Sequence, residues 1–285
     1  MIENFCGTAP SLFGLADNTV KTYRNSLKLY EKWYQNPVEQ TKPIDVMNYM
    51  AYLKKTGRTR STLTVRVSAL RIFFDWLIMQ NLAQSNPTAG IRQRGGRAAR
   101  RLPKNLTRQE LKTLLSAPQA HYDPLIRERD QMLIAFLAST GLRVSEALSV
   151  TPNDFDWPNK SLTIIGKGNK QAVVFITRLV HKNFASRMEK YVKNSGVPGV
   201  LPLFDISVRE AQRVVKKWGR KAKIKQVVTP HVLRHTFGTL LATEVGLGLE
   251  ELKEAMRHTS ITTTQIYVHT TSVDLQRNLA KAGVL

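Results

Sequence analysis

The sequence predicts a mainly α protein with a small β-sheet, divided into two domains, and three observations carry that expectation. Apolar side chains recur at spacings of three and four along most of the chain, the mark of helices with one buried face. One stretch, RQRGGRAARRLPKNLTR (residues 92–108), has seven basic residues, no acidic one and two adjacent glycines. Two β-branched runs flank the single turn GKGNK and read as a hairpin. With 285 residues the chain can bury two cores, and its 42% apolar fraction suits a globular protein. The expected boundaries are 1–91 for a helical domain, 92–106 for a basic linker, and 107–285 for a second domain that ends in a tail helix.

From Asp17 to about Tyr34, the apolar positions Val20, Tyr23, Leu27, Tyr30 and Tyr34 share one helix face, with Lys21, Arg24 and Lys28 on the other side. A second helix starts at Pro43, whose fixed φ suits a first helical position, and stops before Gly57. A third runs from Ser61 as its N-cap, through Leu63, Leu70, Phe73, Phe74 and Leu77, to the turn before Asn86-Pro87. The residues before Asp17 are expected to fray. In the second domain, TRQE from Thr107 is a capping box ahead of LKTLL. Pro124 begins a helix that Gly141 closes, and the hairpin SLTIIGKGNKQAVVFIT follows. From Leu179 onward the pattern is helical again, with breaks near Gly196-Pro198, Thr229-Pro230 and Ser260–Thr264. The tail contains Val273, Leu275, Leu279 and Ala282 on a short amphipathic helix, which either covers its own domain or docks on a neighbouring subunit.

Charge narrows the function. Lys and Arg total 43 against 21 Asp and Glu, so the chain carries +22 at pH 7. Such an excess repels itself in the folded state and calls for a polyanionic partner, with nucleic acid ahead of membrane. No run of about 18 apolar residues reads as a membrane anchor, so a cytoplasmic protein is expected. The lone cysteine, Cys6, excludes an intrachain disulfide and a thiolate zinc cluster. The basic linker reads either as a solvated hinge or as a segment laid along phosphates, through Arg94, Arg97, Arg100 and Arg101.

Several short motifs could carry chemistry. In TPHVLRHTFGTLL, His231 and Arg234 stand three apart, on one face beside the positive start of a helix that opens at Pro230, and an anion fits there. His231 and His235 have a spacing found in helical zinc sites. Arg234 stands between them and no Glu does, so no metal is expected. In TGLRVSE, Arg143 and Glu146 form either a surface ion pair worth about 0–1 kcal/mol or a pair in which Glu146 fixes the guanidinium for a phosphate. In RHTSITTTQIYVH, His258 and Tyr267 would lie about 13.5 Å apart along one continuous helix. A cap at Thr262, Thr263 or Thr264 breaks that helix and folds Tyr267 back towards His258.

Taken together, TGLRVSE, IGKGNK, TPHVLRHTFGT and RHTSITTTQIYVH, in this order and at these spacings, resemble the tyrosine recombinase family, also called the phage integrase family, over essentially the whole chain. One position departs from the pattern: the residue before the motif histidine is commonly Gly, and here it is Arg257. The resemblance implies an N-terminal helical, SAM-like core-binding domain and a C-terminal α+β catalytic domain that clamp double-stranded DNA. It also implies a tetramer on two recombination sites, either a homotetramer or a heterotetramer with a related recombinase. By the same resemblance Tyr267 is the nucleophile and Arg143 and Arg234 bind the scissile phosphate. Lys167 lies near the leaving oxygen, and His231 and His258 complete the site.

The chemistry asks for these residue types. Two arginines offer always-protonated forks to the charge that builds on the phosphate oxygens, so no metal, cofactor or ATP is needed. A free tyrosine has a pKa near about 10 and needs a base, for which His231 is the candidate. Lys167, with Lys170 as its alternative, can protonate the leaving 5′-oxygen. Lys21, Arg24, Lys170, Arg257 and the linker arginines are candidate DNA contacts. Only about 16 residues precede the first expected helix, too few for an added DNA-binding domain, which favours a simple, Xer-like recombinase or resolvase. The competing reading is a non-catalytic basic DNA-binding protein such as a repressor; a third is a metal-dependent nuclease.

Overall fold

The computed structural model describes residues 1–91, 104–166 and 171–257, and the chain divides into two units, residues 1–100 and 101–285. The first unit is all helical: α1 (Ile2–Phe13), α2 (Asp17–Tyr34), α3 (Pro43–Lys55) and α4 (Arg60–Met79). Pro43 opens α3 and Asp45 closes its first turn by accepting the Lys42 amide at 2.9 Å. The core is aromatic. Tyr30 meets Tyr49 edge to edge-on face with centroids 5.0 Å apart, and its hydroxyl donates to Thr41 Oγ1 at 3.1 Å. That bond satisfies a group which burial would otherwise leave costly, and the same burial pushes the phenol pKa well above its usual value.

Two expectations for this unit need correction. The residues before Asp17 do not fray: they form α1, which places Phe5 between Phe73 and Trp76 and leaves Cys6 buried. Tertiary burial of Ile2, Phe5, Cys6 and Ala9 on one face outweighs the poor intrinsic helix propensity of Gly7 and Pro10. The N-cap of α4 is Thr59, not Ser61, because the Thr59 hydroxyl is the oxygen that accepts the Thr62 amide, at 3.3 Å.

The second unit contains α5 (Arg108–Ser116), α6 (Pro124–Thr140), α7 (Val144–Ser149), strands β1 (Phe155–Asp156), β2 (Ser161–Ile165) and β3 (Gln171–Phe175), then α8 (Phe184–Asn194), α9 (Val208–Lys221), α10 (Pro230–Leu240) and α11 (Leu249–Met256). Thr107 and Glu110 exchange cap bonds at 3.2 and 2.8 Å, as the TRQE pattern requires. The hairpin pairs Ser161 with Phe175 and Ile165 with Gln171. A third, two-residue strand, β1, adds to it by pairing Phe155 with Leu162, an antiparallel edge too short to leave a periodic signal in sequence.

Helix α6 forms the centre of this unit, buried continuously from Met132 to Thr140 and packed against α10. It also contains a buried carboxylate, Asp130, which accepts from Trp218 Nε1 at 2.7 Å and from Arg129 Nη2 at 2.7 Å. Leu106, at the end of the basic stretch, is buried, and its amide donates to Thr236 Oγ1 on α10 at 2.9 Å. The ends of α6, α7, α10 and α11 are the elements that build the site.

Candidate active site

Gly141 is where the geometry starts. It ends α6 with φ 61°, a left-handed conformation that glycine adopts without cost, and its amide closes the helix on Leu137 O at 3.1 Å. A Cβ on Gly141 would also overlap the ring of Phe237 on α10. With no side chain in the way α10 comes close, and Arg234 donates its Nη1 to the Gly141 carbonyl. The Nη2 of the same guanidinium donates to the Met256 carbonyl at the end of α11. Arg234 is only 4% exposed, so these ties fix a buried cation between two helix ends whose carbonyls carry partial negative charge.

Two residues after Gly141, Arg143 caps α7. Its amide donates to Glu146 Oε2 at 2.8 Å and its Nη1 to Glu146 Oε1 at 2.8 Å. The Arg143 side chain is 45% exposed whereas that of Glu146 is 11%, so the carboxylate is an anchor inside the protein and the guanidinium reaches outward from it.

Glu146 has a second cation. Arg257 Nη2 donates to its Oε2 at 2.8 Å, although the two residues lie far apart in sequence. Burial pushes the Glu146 carboxyl up, but the Arg143 amide and guanidinium and the Arg257 charge outweigh it and hold the pKa below the usual carboxylate value. Arg257 is the C-cap of α11, with φ 49° and ψ 50° and its amide on Glu254 O at 2.8 Å. This left-handed position explains why glycine is common there. A non-glycine residue loses about 1–2 kcal/mol in that conformation, and burial of the Arg257 guanidinium lowers its pKa against the attraction of Glu146.

Arg143 and Arg257 thus share the Glu146 carboxylate, and Arg234, held on the Gly141 and Met256 carbonyls, adds a third guanidinium, so the three carry two positive charges in excess of the one carboxylate. Confined cations of like sign repel, and an anion entering between them relieves that repulsion. His231 stands on the same side: burial by its surroundings, then Arg234, then Arg143, lower its pKa, although its ring reaches the surface. His235, whose ring lies edge-on to that of His231 at 5.2 Å between centroids, is lowered by burial, His231 and Arg234. Both imidazoles are therefore neutral at neutral pH, so His231 can accept a proton. Among the described residues, no group of three His, Cys, Asp or Glu side chains is placed to hold a metal ion.

The structure brings together Arg143, His231 and Arg234 of the six expected catalytic residues. Lys167, His258 and Tyr267 lie outside the described residues, as do Lys170, the linker residues Arg94, Arg97, Arg100 and Arg101, and the tail helix. Of the expected DNA contacts in the first unit, Lys21 is exposed, while Arg24 is drawn to Glu3 of α1 at 3.2 Å beside Lys28 at 2.9 Å. Arg257 is mostly buried and tied to Glu146 rather than lying on an open surface. Sequence reasoning missed the Arg257–Glu146 pair and the role of Gly141. Only Gly141 left a signal, as the stop of α6.

Comparison with known proteins shows the family of the chain. Residues 104–273 match the model of the phage integrase family, and residues 7–81 match the phage integrase N-terminal SAM-like domain. The tyrosine recombinase XerA of Thermococcus kodakarensis is 30% identical over 295 residues, covering 100% of this chain and 96% of that protein. The tyrosine recombinase XerD of Halalkalibacterium halodurans is 30% identical over 275 residues, 92% of this chain and 90% of the relative. A crystal structure of the XerH site-specific recombinase bound to a palindromic difH substrate, a post-cleavage complex, superposes with a TM-score of 0.75 at 22% identity. It covers 99% of this chain and 83% of that chain, and this likeness bears on the fold.

Proposed function

The chain belongs to the phage integrase family, the tyrosine recombinases, and from that premise we propose that it cuts and rejoins double-stranded DNA at specific sites through a 3′-phosphotyrosine on Tyr267. The observation that carries this reading is the pairing of Arg143 and Arg257 with Glu146 together with Arg234 on the Gly141 and Met256 carbonyls, an excess of cation with a neutral His231 beside it. Arg143 and Arg234 hold the non-bridging oxygens of the scissile phosphate, where charge builds as the fifth oxygen arrives. His231 takes the proton from the Tyr267 hydroxyl as its oxygen bonds to phosphorus. The bond from phosphorus to the 5′-oxygen then breaks, and Lys167, or Lys170 in the same turn, gives that oxygen its proton. His258 donates a hydrogen bond to the phosphate. The phosphotyrosine bond preserves the free energy of the broken diester, so rejoining to a second 5′-hydroxyl needs neither ATP nor metal.

Exchange of one strand pair gives a Holliday junction and exchange of the second resolves it. This calls for four copies on two sites, as a homotetramer or with a related recombinase. Lys21, Arg24 and the linker arginines Arg94, Arg97, Arg100 and Arg101 contact backbone phosphates and set affinity. The 30% identity to Xer recombinases over nearly their full length supports a simple recombinase that resolves DNA dimers or moves a mobile element. No helix among the described residues is long and apolar enough to cross a membrane, and a cytoplasmic location follows from the DNA substrate.

The test is incubation of wild type and Tyr267→Phe with a nicked suicide substrate in EDTA, followed by a denaturing gel. A covalent adduct is expected from wild type alone. An adduct from both or from neither, with DNA binding intact, overturns the assignment of Tyr267 and leaves a DNA-binding protein; loss of cleavage in EDTA leaves a metal-dependent nuclease.

A further inference from the structure

We infer that Arg257 is a positioning residue for Arg143: by occupying Oε2 of Glu146 it keeps the Arg143 guanidinium held through one oxygen only, with its other donors turned to the phosphate. This rests on the functional reading above and adds to it a residue at the position that is commonly glycine.

A free carboxylate takes an arginine in a two-pronged fork, one oxygen to each of two nitrogens, which commits a whole edge of the guanidinium to the pair. Glu146 does not pair with Arg143 in that way. Its Oε1 accepts Arg143 Nη1 at 2.8 Å, and its Oε2 already accepts two bonds at 2.8 Å, one from the Arg143 amide and one from Arg257 Nη2. The second prong of the fork is therefore filled, and Arg143, although anchored, stays 45% exposed with Nε and Nη2 outside the pair.

Charge works in the same direction. Without Arg257 the Glu146 carboxylate would neutralise Arg143, whereas with it the three groups keep one net positive charge. Arg257 is itself committed to this carboxylate. Its side chain is only 16% exposed, and its Nε and Nη1 are buried with no hydrogen-bond partner among the described residues. A buried cation with two unmatched donors is held in place chiefly by its one counter-charge. The backbone fixes the rest: Arg257 caps α11 in the left-handed conformation, and the preceding carbonyl, of Met256, receives Arg234. The end of α11 thus sets the position of Arg234 directly and that of Arg143 through Glu146.

Positioning through Glu146 and direct contact with DNA make different predictions in a double-mutant cycle. Arg257→Gly is the first variant, because glycine enters the left-handed region freely and preserves the backbone. Single-turnover adduct formation at saturating nicked DNA is measured for wild type, Arg257→Gly, Arg257→Lys, Glu146→Gln and the Arg257→Gly/Glu146→Gln double variant, with DNA affinity and melting temperature for each. Arg257→Gly is expected to lower the limiting rate about tenfold with affinity within twofold of wild type. Arg257→Lys should recover part of the loss, since an ammonium can still occupy Oε2, and the double variant should be no slower than Glu146→Gln alone. An unchanged rate in Arg257→Gly, a loss that multiplies with that of Glu146→Gln, or a loss confined to DNA affinity overturns the inference while leaving the recombinase reading standing. If Arg257→Gly does not fold, full activity in Arg257→Met overturns the inference and a loss restored in Arg257→Lys supports it. No adduct from wild type overturns the functional reading and this inference with it.

Discussion

The two units hold their cations in opposite ways. In the first, Arg24 and Lys28 lie on an outward helix face, 41% and 55% exposed, and share Glu3 across a surface where water screens the pairing. In the second, Arg234 is 4% exposed and tied to two backbone carbonyls, and Arg257 and Arg143 divide one carboxylate between them. A screened surface cation contributes attraction with little fixed direction. A buried cation bound at both ends contributes a fixed direction in a low dielectric, which is what stabilising charge on one particular oxygen requires. On the function proposed above, this difference fits grip in the first unit and chemistry in the second.

That division can be broken most forcefully at Gly141. Gly141→Val adds a side chain to a left-handed residue and drives it into the Phe237 ring. Overpacking and backbone strain together should remove about 3 kcal/mol or more of stability from the second unit, and adduct formation should fall with it because the Arg234 tie to residue 141 is lost. In the first unit, Thr59→Ala removes only the cap bond to Thr62 and should cost about 1 kcal/mol while leaving the limiting rate of adduct formation unchanged. Thermal melts with single-turnover rates on both variants check the pair. Equal effects on rate would erase the distinction between the units.

A smaller effect comes from pH and sharpens the role of His231. Its pKa, like that of His235, is lowered from the ordinary 6.5. For a base with a depressed folded pKa, the unfolded chain binds more protons between the two values. The stability contribution is therefore complete above about 6.5 and declines as pH falls towards the folded pKa. The rate should be flat from neutral pH down past 6.5 and fall only below it, where His231 gains a proton. A rate that already halves at pH 6.5 or above would place another group in that role.

Much of this is legible in the sequence, for local reasons. Pro43, the Thr107–Glu110 box, Pro124 and Gly141 each act on their own turn of backbone, so their signals survive in sequence. The α1 helix was hidden because Gly7 and Pro10 resemble breakers, and only packing of Phe5 on Phe73 and Trp76 reveals why the segment is ordered. Arg143 and Glu146 stand three apart and could be read as a pair. Arg257 pairs with the same carboxylate from a distant helix end, and Arg234 is fixed by the carbonyls of Gly141 and Met256. Carbonyl acceptors carry no residue identity, so nothing in the letters of the sequence announces them.

The most direct measurement is a single-turnover cleavage titration on nicked DNA that gives both the dissociation constant and the limiting rate for wild type, Arg234→Lys and Lys21→Ala. Lysine cannot span the two carbonyls that the planar guanidinium joins. Arg234→Lys should lower the limiting rate by about a hundredfold or more with the dissociation constant changed only severalfold. Lys21→Ala should weaken binding, reduce its salt dependence by about one phosphate contact, and leave the limiting rate as in wild type. An Arg234→Lys variant that cleaves at the wild-type rate, or a Lys21→Ala variant whose limiting rate collapses with it, would contradict the account.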